Sequence, residues 1–413
     1  MYGNRVVVTG LGAITPIGNS VDEYWSNLLA GVSGGGRITT FDPTGLPVTI
    51  AAEVKGFDPA DYMDRKAAKR MERFAHLSIA AAGQALKDGE FSVNESNTWD
   101  VGAIVATGGG GIGAVADETT TLITRGWERV GPMMVPLMIP NMASCQVSMH
   151  YGIKGPVVTN TAACAAGVYS LFEALHFLRR GDAEVILAGG SESAILPLAF
   201  ISMARTGALS RRNDPQTASR PFDKDRDGFL FGEGAGILLL ETLEHARKRG
   251  ARIVAELAGA SITADAYHVS APEPSGESAK RAILKAIADA DLQPEEVEYV
   301  CAHGTGTPLN DATETKALKV ALGQRAYKIP VSSVKSMIGH LLGAAGALSA
   351  VAAVKAIAEG CIPPTINQFT PDPECDLDYV PWKPRALPIR NALVNGFGFG
   401  GQNSVAVFKR FEA

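Results

Sequence analysis

The sequence predicts an α/β fold, because short apolar runs that suit β-strands alternate along the chain with longer stretches of helical periodicity. The 413 residues are enough for two to three domains and for a large apolar core. Hydrophobic residues make up 46% and charged residues 20%, which is an ordinary globular composition. The 45 glycines and the aromatic content of only 7% favour close packing of helices that are rich in small residues.

The predicted strands are short runs rich in Val, Ile and Leu, and the predicted helices are longer segments between them. The strands are Arg5–Thr9, Val101–Ala106, Pro156–Val158, Glu184–Ala188, Ile237–Leu240, Val297–Ala302 and Val405–Phe408. The helices are Val21–Leu29, Ala67–Leu86, Ala165–Arg180, Ser278–Ala290, Ala312–Leu322 and Leu341–Glu359.

A basic stretch, HARKRGAR at His245–Arg252, is the best candidate for a domain boundary. We interpret it as a solvated turn between two apolar strands, which divides the chain into domains 1–250 and 251–413. The segment TAACAAGVYSLFEALHFLRRGD around Cys164 is similar to SMIGHLLGAAGALSAVAAVKAIAEG around His340. Each is a turn that leads into a helix rich in Ala and Gly. Either a duplication or two buried helices of similar composition accounts for this similarity.

Charge and cysteine content exclude several classes of protein. Lys and Arg total 38 and Asp and Glu total 43, and this net charge of −5 disfavours a dedicated nucleic-acid binder. The five cysteines form no CxxC pair, which argues against a zinc site or a disulfide framework and points to a reducing compartment. No signal peptide is visible, and the apolar run Leu341–Val354 is shorter than the roughly 18 residues of a membrane span. We expect a cytoplasmic protein without membrane insertion, bound metal or cofactor.

Cys164 is the candidate nucleophile. It follows a strand-like run, GPVVT, and begins a helical pattern. The N-terminus of a helix offers unpaired N–H groups and a positive dipole end, so we expect this position to lower the pKa of the thiol. The thiolate is the reactive form of cysteine, and an acylatable cysteine belongs at such a position. A buried, inert thiol is the alternative, and we accept that interpretation for the other four cysteines.

Two histidines lie in unusual surroundings. His303 stands in CAHGTGTPLND, where a strand ends and a Gly/Thr loop begins. His340 stands in SVKSMIGHLLGAAG, at the start of the helix rich in small residues. His268 lies in a loop-like stretch, DAYHVS, from which it would approach a pocket. Neither HExxH nor a paired Cys/His spacing is present, so these histidines do not indicate zinc.

Two short motifs have competing interpretations. The segment Thr107–Gly113, TGGGGIG, contains GxGxxG after a strand, as in dinucleotide-binding proteins. No acidic strand end follows about 20 residues later, so we favour a flexible turn near the active site over a dinucleotide-dependent oxidoreductase. The GxSxG at Gly31–Gly35 follows a helix, whereas a nucleophile elbow requires a preceding strand.

Four motifs taken together resemble one family, the β-ketoacyl-acyl-carrier-protein synthases, which are the condensing enzymes of type II fatty-acid synthesis. They are TAACAAG at Cys164, HGTGTPLND at His303, VKSMIGHLLGAAG at His340 and the C-terminal NGFGFGGQN. The stretch Ser219–Gly236, SRPFDKDRDGFLFGEGAG, also resembles the family, and the likeness covers essentially the whole chain. It implies a thiolase-like fold of duplicated βαβαβαββ halves stacked as α-β-α-β-α layers, and a homodimer.

The resemblance implies a decarboxylative Claisen condensation and a role for each matching residue. Cys164 would accept an acyl group from acyl-acyl carrier protein, and His303 and His340 would stabilise the enolate formed from malonyl-acyl carrier protein. The backbone N–H groups of Cys164 and Phe399 would form the oxyanion hole, and the ring of Phe399 would act as a gate. Gln402 stands where many members of the family have Thr, which leaves the polar contact of that Thr in doubt.

Further residues match the family's supporting positions. Lys335 resembles the active-site lysine and Glu314 its acidic partner, although such a pair is also compatible with a structural ion pair. Thr305 and Thr307 are hydroxyl donors suited to a carboxylate or to the pantetheine arm. Asp311 would hold their loop in place.

Acyl carrier protein is acidic, so a local basic surface is expected to bind it. In MDRKAAKRMERFAH, Met63–His76, helical spacing would place Arg65, Lys69 and Arg73 in one stripe, with Arg70 beside them. Arg205 belongs to a second basic cluster. A solvated helix face is the alternative interpretation of such charges.

Related enzymes and one non-enzymatic protein remain as alternatives. A biosynthetic thiolase would carry a second catalytic cysteine in the C-terminal motif, and GFGFGGQN has none. A chalcone-type synthase would carry Cys, His and Asn, whereas VKSMIGH supplies a second histidine. A polyketide ketosynthase would have the same Cys-His-His set. A chain-length-factor-like partner subunit would lack the nucleophile, so Cys164 argues against it.

Overall fold

The computed structural model describes residues 3–412 of the chain. Its strands, β1 to β14 in chain order, are Val6–Ile14, Gly36–Arg37, Ile50–Ala51, Val101–Ala106, Val157–Val158, Val185–Glu192, Gly234–Thr242, Ala255–Ala264, Tyr299–Cys301, Val331–Ser332, Cys361–Ile362, Arg385–Ala386, Asn391–Gly398 and Gln402–Lys409. Its helices, α1 to α13, are Val21–Leu29, Arg65–Ala68, Arg73–Asp88, Ile112–Arg125, Met134–Met138, Met142–Tyr151, Ala166–Arg180, Pro197–Arg205, Leu243–Lys248, Glu277–Asp289, Pro308–Leu322, Lys335–Ile338 and Ala345–Glu359.

The main sheet consists of two sets of five strands with the same connectivity. The strand order is β5-β4-β6-β7-β1 in the first set and β10-β9-β13-β14-β8 in the second. In each set the first two pairs of neighbours are parallel and the last two are antiparallel. Within residues 3–412, the two sets are joined by a short antiparallel pairing of β1 with β8, in which Val7 faces Glu256 and Val8 faces Ala255.

The helices complete five layers. Helices α3 and α6 pack on the outer face of the first set, and α10 packs with α11 on the outer face of the second. Helices α7 and α13 contact strands of both sets and each other, so they form the central layer. In chain order each half therefore reads βαβαβαββ, as β1-α3-β4-α6-β5-α7-β6-β7 and β8-α10-β9-α11-β10-α13-β13-β14. This confirms the duplicated α-β-α-β-α arrangement.

The two central helices begin in the same unusual way. Each follows a short 3-10 turn that starts at a residue other than glycine with positive φ, 46° at Ala163 and 43° at Leu342. Each helix has 15 residues and ends at a left-handed glycine. They approach closely because a Cβ on Gly167 would lie only 2.6 Å from the backbone nitrogen of Ala347. The similarity seen in the sequence is therefore a duplication of structure.

Several sequence-based element boundaries are wrong. The helix predicted over Ala67–Leu86 is broken between α2 and α3, so its basic residues do not share one helix. The basic stretch 245–252 is not a turn throughout, because it begins inside α9. Strand β13 and helices α4, α6 and α8 were not expected from the sequence, and β8 was expected only as an apolar strand without bounds after the basic stretch. Strand β4 and helix α1 match their predicted bounds.

The segment Leu342–Glu359 is long and apolar enough to cross a membrane, judged by length and composition alone. This corrects the expectation that the apolar run here is too short. Within the structure 78% of the segment is buried, because α13 lies in the central layer between the two sets of strands. A buried core helix accounts for its apolar composition.

Candidate active site

Three segments that are distant in sequence meet at one cavity. Cys164 precedes α7, His303 follows β9, and His340 follows α12. All three line a cavity of about 370 Å³, together with the turn after β13 and the loop before α11. Further residues of its wall are Phe229, Thr305, Thr307, Glu314, Phe397, Gly398 and Phe399.

Cys164 is held where the 3-10 turn passes into α7, with only 7% of its surface exposed. The backbone N–H groups of Phe399 and of Cys164 itself lie close enough to the sulfur to lower the pKa of the thiol. The turn that carries Phe399 approaches so closely because residue 398 is glycine. A Cβ on Gly398 would lie 2.8 Å from the carbonyl oxygen of Ala162 and 3.2 Å from the nitrogen of Cys164. Two backbone donors therefore converge on the nucleophile.

Burial raises the pKa of the Cys164 thiol to about 12, and the charge of Glu192 acts in the same direction. The charge of Lys335 and the hydrogen bond from Phe399 act in the opposite direction. The lowered thiol pKa expected from the helix start is therefore wrong. Desolvation by both halves of the molecule outweighs the favourable helix end. The side chain of Cys164 therefore rests as a thiol, and it would have to lose its proton to act as a nucleophile.

His303 and His340 lie against each other, with ring centroids 5.4 Å apart and ring planes at 85°. Both residues are almost completely buried. Burial and the charge of Lys335 hold both imidazole pKa values well below the usual range, and His340 further lowers that of His303. Both rings are therefore neutral at pH 7, and each has one N–H to donate.

The backbone around His340 is fixed on both sides. Its N–H donates to the carbonyl of Leu230 at 2.7 Å, and its carbonyl accepts from Gly232 at 3.0 Å. Its ring contacts that of Phe229, with centroids 4.9 Å apart. Because Nδ1 of His340 is buried without a hydrogen-bond partner among the described residues, the ring's position depends on packing.

Lys335 lies behind the two histidines, 1% exposed, and its ammonium has no hydrogen-bond partner among residues 3–412. Burial lowers its pKa, while the nearby Cys301, Glu314 and Cys164 act in the opposite direction. Glu314, the expected partner, instead accepts N–H bonds from His303 and Gly304 at 2.8 Å. Lys335 and Glu314 thus interact through space and form no direct ion pair.

Glu314 fixes the backbone that carries His303. Besides those two N–H groups, its carboxylate accepts a hydrogen bond from Nδ2 of Asn395 at 2.9 Å. Burial raises the pKa of Glu314, and the three donors partly offset that effect. Asn395 opens the NGFGFGG motif, and the sequence did not identify it separately. Glu314 therefore links the histidine loop to β13.

Thr305 and Thr307 lie at the cavity wall with their hydroxyl oxygens 3.0 Å apart. Asp311 holds their loop from inside, because its carboxylate accepts the N–H groups of Thr305 and Gly306. It also accepts the N–H of Phe222 at 2.7 Å, which joins the loop to the SRPFDKDRDG stretch. The two hydroxyls thus stand on a loop that is fixed by a buried carboxylate.

The structure does not bring His268 into the cavity wall. The side chain is exposed, and its Nδ1 accepts N–H bonds from Ser270 and Ala271, both at 3.1 Å. Those two residues line the cavity, so His268 shapes the loop at its edge. Phe399 is 37% exposed on the turn after β13, and Gln402 is exposed on β14.

The predicted docking residues fall into two groups. Arg65, Lys69, Arg70 and Arg205 are exposed. The guanidinium of Arg73 instead forms an ion pair with the buried Glu233, with an Nη2–Oε1 distance of 2.7 Å. The stripe expected on one helix is therefore wrong, since α2 ends at Ala68 and Arg73 begins α3.

Glu192, at the end of β6, is a buried site residue that the sequence did not reveal. Its carboxylate accepts the N–H groups of Gly108, Gly109 and Gly343 at 2.7, 3.2 and 3.0 Å. The glycine-rich motif therefore directs two of its N–H groups to a side chain of this protein. Gly343 occupies, in the second half, the position that Cys164 occupies in the first.

Comparison with known proteins agrees with this geometry. The β-ketoacyl synthase N-terminal domain matches residues 3–246, and the β-ketoacyl synthase C-terminal domain matches residues 254–369. The chain belongs to the β-ketoacyl synthase family. This β-ketoacyl synthase is 52% identical over 409 residues to the 3-oxoacyl-[acyl-carrier-protein] synthase 2 of Synechocystis sp., covering 99% of this chain and 98% of that relative.

Solved ketosynthases have the same fold as this β-ketoacyl synthase. The ishigamide ketosynthase/chain length factor superimposes with a TM-score of 0.93 at 37% identity, covering 99% of this chain and 100% of that one. A type II polyketide ketosynthase bound to a hexaketide, in complex with its acyl carrier protein, superimposes with a TM-score of 0.90 at 36% identity, with the same coverage.

Proposed function

We propose that this β-ketoacyl synthase is a 3-oxoacyl-acyl carrier protein synthase that elongates fatty acids by decarboxylative Claisen condensation. The observation that supports this most is the meeting of Cys164, His303 and His340 at one cavity, with two backbone N–H groups at the sulfur. The relative in Synechocystis sp., which aligns over 98% of its own length, is named 3-oxoacyl-[acyl-carrier-protein] synthase 2.

In the first half-reaction, the sulfur of Cys164 attacks the carbonyl carbon of an acyl thioester on acyl carrier protein. The new C–S bond replaces the bond to the carrier's pantetheine sulfur, and the thiol proton leaves with that sulfur. Negative charge develops on the carbonyl oxygen, and the N–H groups of Cys164 and Phe399 are placed to stabilise it. The products are the S-acyl cysteine and free carrier thiol.

In the second half-reaction, malonyl-acyl carrier protein loses CO₂ and leaves an enolate thioester. The neutral imidazoles of His303 and His340 donate hydrogen bonds to the enolate oxygen, because both lie beside the same cavity. The enolate carbon then attacks the acyl-cysteine and expels the sulfur of Cys164, which takes up a proton. The product is a 3-ketoacyl thioester on the carrier.

The supporting residues do not react themselves but set the charge and position of Cys164, the two histidines and the threonine loop. Lys335 favours the thiolate of Cys164 and keeps both imidazoles neutral. Glu314 and Asp311 fix the loop that carries His303, Thr305 and Thr307. The two threonine hydroxyls bind the pantetheine arm, and the ring of Phe399 gates access between the nucleophile and the acyl chain.

Acyl carrier protein binds on a basic surface beside the cavity. Arg205 is exposed and directly precedes Thr206 and Gly207, which line the cavity. Arg65, Lys69 and Arg70 form a second exposed basic group. A related ketosynthase has been solved with its acyl carrier protein bound, which supports this partner.

Charge reversal tests this surface. Lys69→Glu with Arg70→Glu is expected to raise the KM for carrier-bound substrate and to steepen its dependence on salt, because the carrier is anionic. Substrate carried on free pantetheine is the control and is expected to keep its KM. Equal KM values for the variant and the parent protein with carrier-bound substrate would count against this surface.

A second copy of the chain covers an exposed apolar surface around α4 and α5. Ile123, Trp127 and Val135 are 78%, 76% and 56% exposed, which is unusual for a surface that stays in water. We propose a homodimer that forms through this surface. We also propose a cytoplasmic location, because the five free thiols would stay reduced there. Light scattering is expected to give twice the mass of one chain, and Trp127→Asp to reduce that value.

Mass spectrometry tests the proposed reaction directly. After mixing with a series of acyl-acyl carrier proteins, the peptide containing Cys164 is expected to gain one acyl group, and the preferred length identifies the substrate. Cys164→Ala is expected to lose condensation and the adduct but to retain decarboxylation of malonyl-acyl carrier protein. Full condensation by Cys164→Ala would refute the covalent mechanism, and preference for a poly-β-keto chain would favour a polyketide ketosynthase.

A further inference from the structure

Side chains on two sides hold the loop that carries Thr305 and Thr307. One of them, Asp311, is a predicted site residue, and the other is not. Asp311 binds backbone N–H groups on the inside of the loop. On the other side, the carbonyls of Thr307 and Pro308, where the loop passes into α11, accept further hydrogen bonds. Arg226, from the stretch between α8 and β7, supplies them.

The guanidinium of Arg226 makes an unusually complete set of contacts. Its Nε donates to the carbonyl of Thr307 at 3.1 Å, and its Nη2 donates to the carbonyl of Pro308 at 3.0 Å. Its Nη1 donates to the carbonyl of Asp223 at 2.8 Å and to the carboxylate of Asp372. Nε also lies 3.8 Å from the carboxylate of Asp311. The carbonyls of Thr307 and Pro308 are consecutive and lie where the loop ends and α11 begins, so the planar fork of the guanidinium fixes this junction.

Burial and the arrangement of its partners favour arginine at this position. Only 3% of the side chain of Arg226 is exposed, and two carboxylates face it. A buried guanidinium is costly unless its N–H groups are paired, and here they are. Lysine would keep the charge, but it lacks the planar fork that reaches both carbonyls at once.

We propose that Arg226 is a positioning residue for the substrate arm, because it holds Thr305 and Thr307 at the cavity wall through the carbonyls of Thr307 and Pro308. The proposal rests on the proposed function, in which those hydroxyls bind the pantetheine arm. Arg226 does not line the cavity of Cys164, so it acts through the loop and touches no reacting atom.

A role in positioning the arm is separable from a role in stability. Acyl and malonyl substrates carry the same arm, so Arg226→Lys is expected to raise the KM for both by about tenfold, the effect of losing a charge-assisted hydrogen bond. Alkylation of Cys164 by iodoacetamide, which has no arm, is expected to keep its rate. Amide exchange over residues 303–311 is expected to accelerate.

Arg179→Lys is the matched control. Arg179 is also mostly buried, binds the carboxylate of Asp289 at 2.9 Å and donates to the carbonyl of Ala258, but it lies outside the cavity. It is expected to lower the unfolding temperature without changing either KM. Asp372→Asn provides a milder change at the outer side of Arg226 and is expected to raise both KM values by a smaller factor.

The outcomes separate this assignment from the proposed function. A parent protein that neither acylates Cys164 nor condenses would defeat the proposed function itself. A parent protein that does both, with KM values unchanged in Arg226→Lys, would overturn only the role of Arg226. If Arg226→Lys does not fold, unchanged KM values in Asp372→Asn overturn that role, as does an equal rise in Arg179→Lys.

Discussion

At the scale of single residues, burial disfavours the charged forms of both Cys164 and Lys335. Burial raises the pKa of Cys164 and lowers that of Lys335, so desolvation disfavours the charged form of each. Each charge stabilises the other, which partly offsets this cost. The ammonium of Lys335 remains buried without a hydrogen-bond partner within residues 3–412. Such an arrangement reduces stability and is characteristic of a functional site.

Lys335→Met is expected to slow the alkylation of Cys164 at a given pH, because the variant loses the positive charge that lowers the thiol pKa. The rate in the parent protein is expected to rise about tenfold per pH unit up to pH 10, since the thiolate fraction does so below its pKa. The unfolding temperature of Lys335→Met is expected to rise, because a buried unpaired charge is removed.

Quenched alkylation assays measure the alkylation rate of Cys164, and thermal denaturation measures the unfolding temperature. Lys355→Met, at a lysine of α13 that pairs with Glu359, is the matched control and is expected to keep the alkylation rate. Equal or faster alkylation in Lys335→Met would contradict the assigned electrostatic role.

Sequence motifs located Cys164, His303 and His340, because each lies at a recognisable junction of strand, turn and helix. They did not reveal Glu192 or Arg226, whose partners are backbone groups of loops distant in sequence. The pKa of Cys164 was mispredicted for the same reason. The local pattern shows the start of a helix but not the second half of the molecule that buries it.

At the scale of elements, the turn between β13 and β14 controls the donors at the nucleophile. Its glycines serve different purposes. Gly398 permits close approach to the Cys164 turn, whereas Gly400 has a φ of 81° with nothing within 4 Å of its would-be Cβ. The turn is further attached by the N–H of Gly400, which donates to Val269 at 2.8 Å.

Gly398→Ala is expected to lower acylation of Cys164 by about a hundredfold, because its Cβ would push the N–H of Phe399 away from the oxyanion position. Gly400→Ala is the comparison. It is expected to cost about 1 kcal/mol of stability through its positive φ and to retain most of the acylation rate. Acylation rates measured by quenched mass spectrometry decide between them, and an equal loss in both variants would refute the close-approach argument.

Element prediction failed where tertiary contacts override local propensity. The residues between α2 and α3, Lys69–Glu72, favour a helix individually, yet the chain breaks there. Asp64 caps α2 as a separate short helix, and Arg73 turns to pair with Glu233. Strands β8 and β13 contain several Ala and Gly residues and few β-branched ones, so the run that indicates a strand is weak.

At the scale of the whole molecule, the two duplicated central helices, α7 and α13, have different groups beside the N–H groups at their N-terminal ends. In the first half the N–H of Cys164, in the turn before α7, acts on the sulfur of the same residue, which lines the cavity. In the second half the N–H of Gly343 binds the carboxylate of Glu192. One helix start is thus available to a substrate oxyanion, while a carboxylate of the protein occupies the other. The two helix starts therefore differ, although Cys164 of the first half and the two histidines of the second line the same cavity.

Burying two neutral histidines also makes stability depend on pH. The pKa values of His303 and His340 lie well below 6.5 in the folded protein, so the unfolded chain binds more protons as the pH falls through about 6.5. Their contribution to stability is complete above that pH and is lost below it. The raised pKa values of Glu192, Glu314 and Asp311 have the opposite effect, because these groups stabilise the folded protein as the pH falls. The contribution of one histidine is therefore measured as the difference between a variant and the parent protein.

His340→Gln removes one of these titrations. Its unfolding free energy is expected to change less between pH 7.5 and pH 5.5 than that of the parent protein, by at most about 1.4 kcal/mol per pH unit for one proton. His268→Gln, at an exposed histidine, is the control and is expected to keep the parent dependence. Denaturant titrations at several pH values measure the difference. An identical pH dependence in His340→Gln and the parent protein would show that the ring at position 340 is not held neutral by the surrounding core.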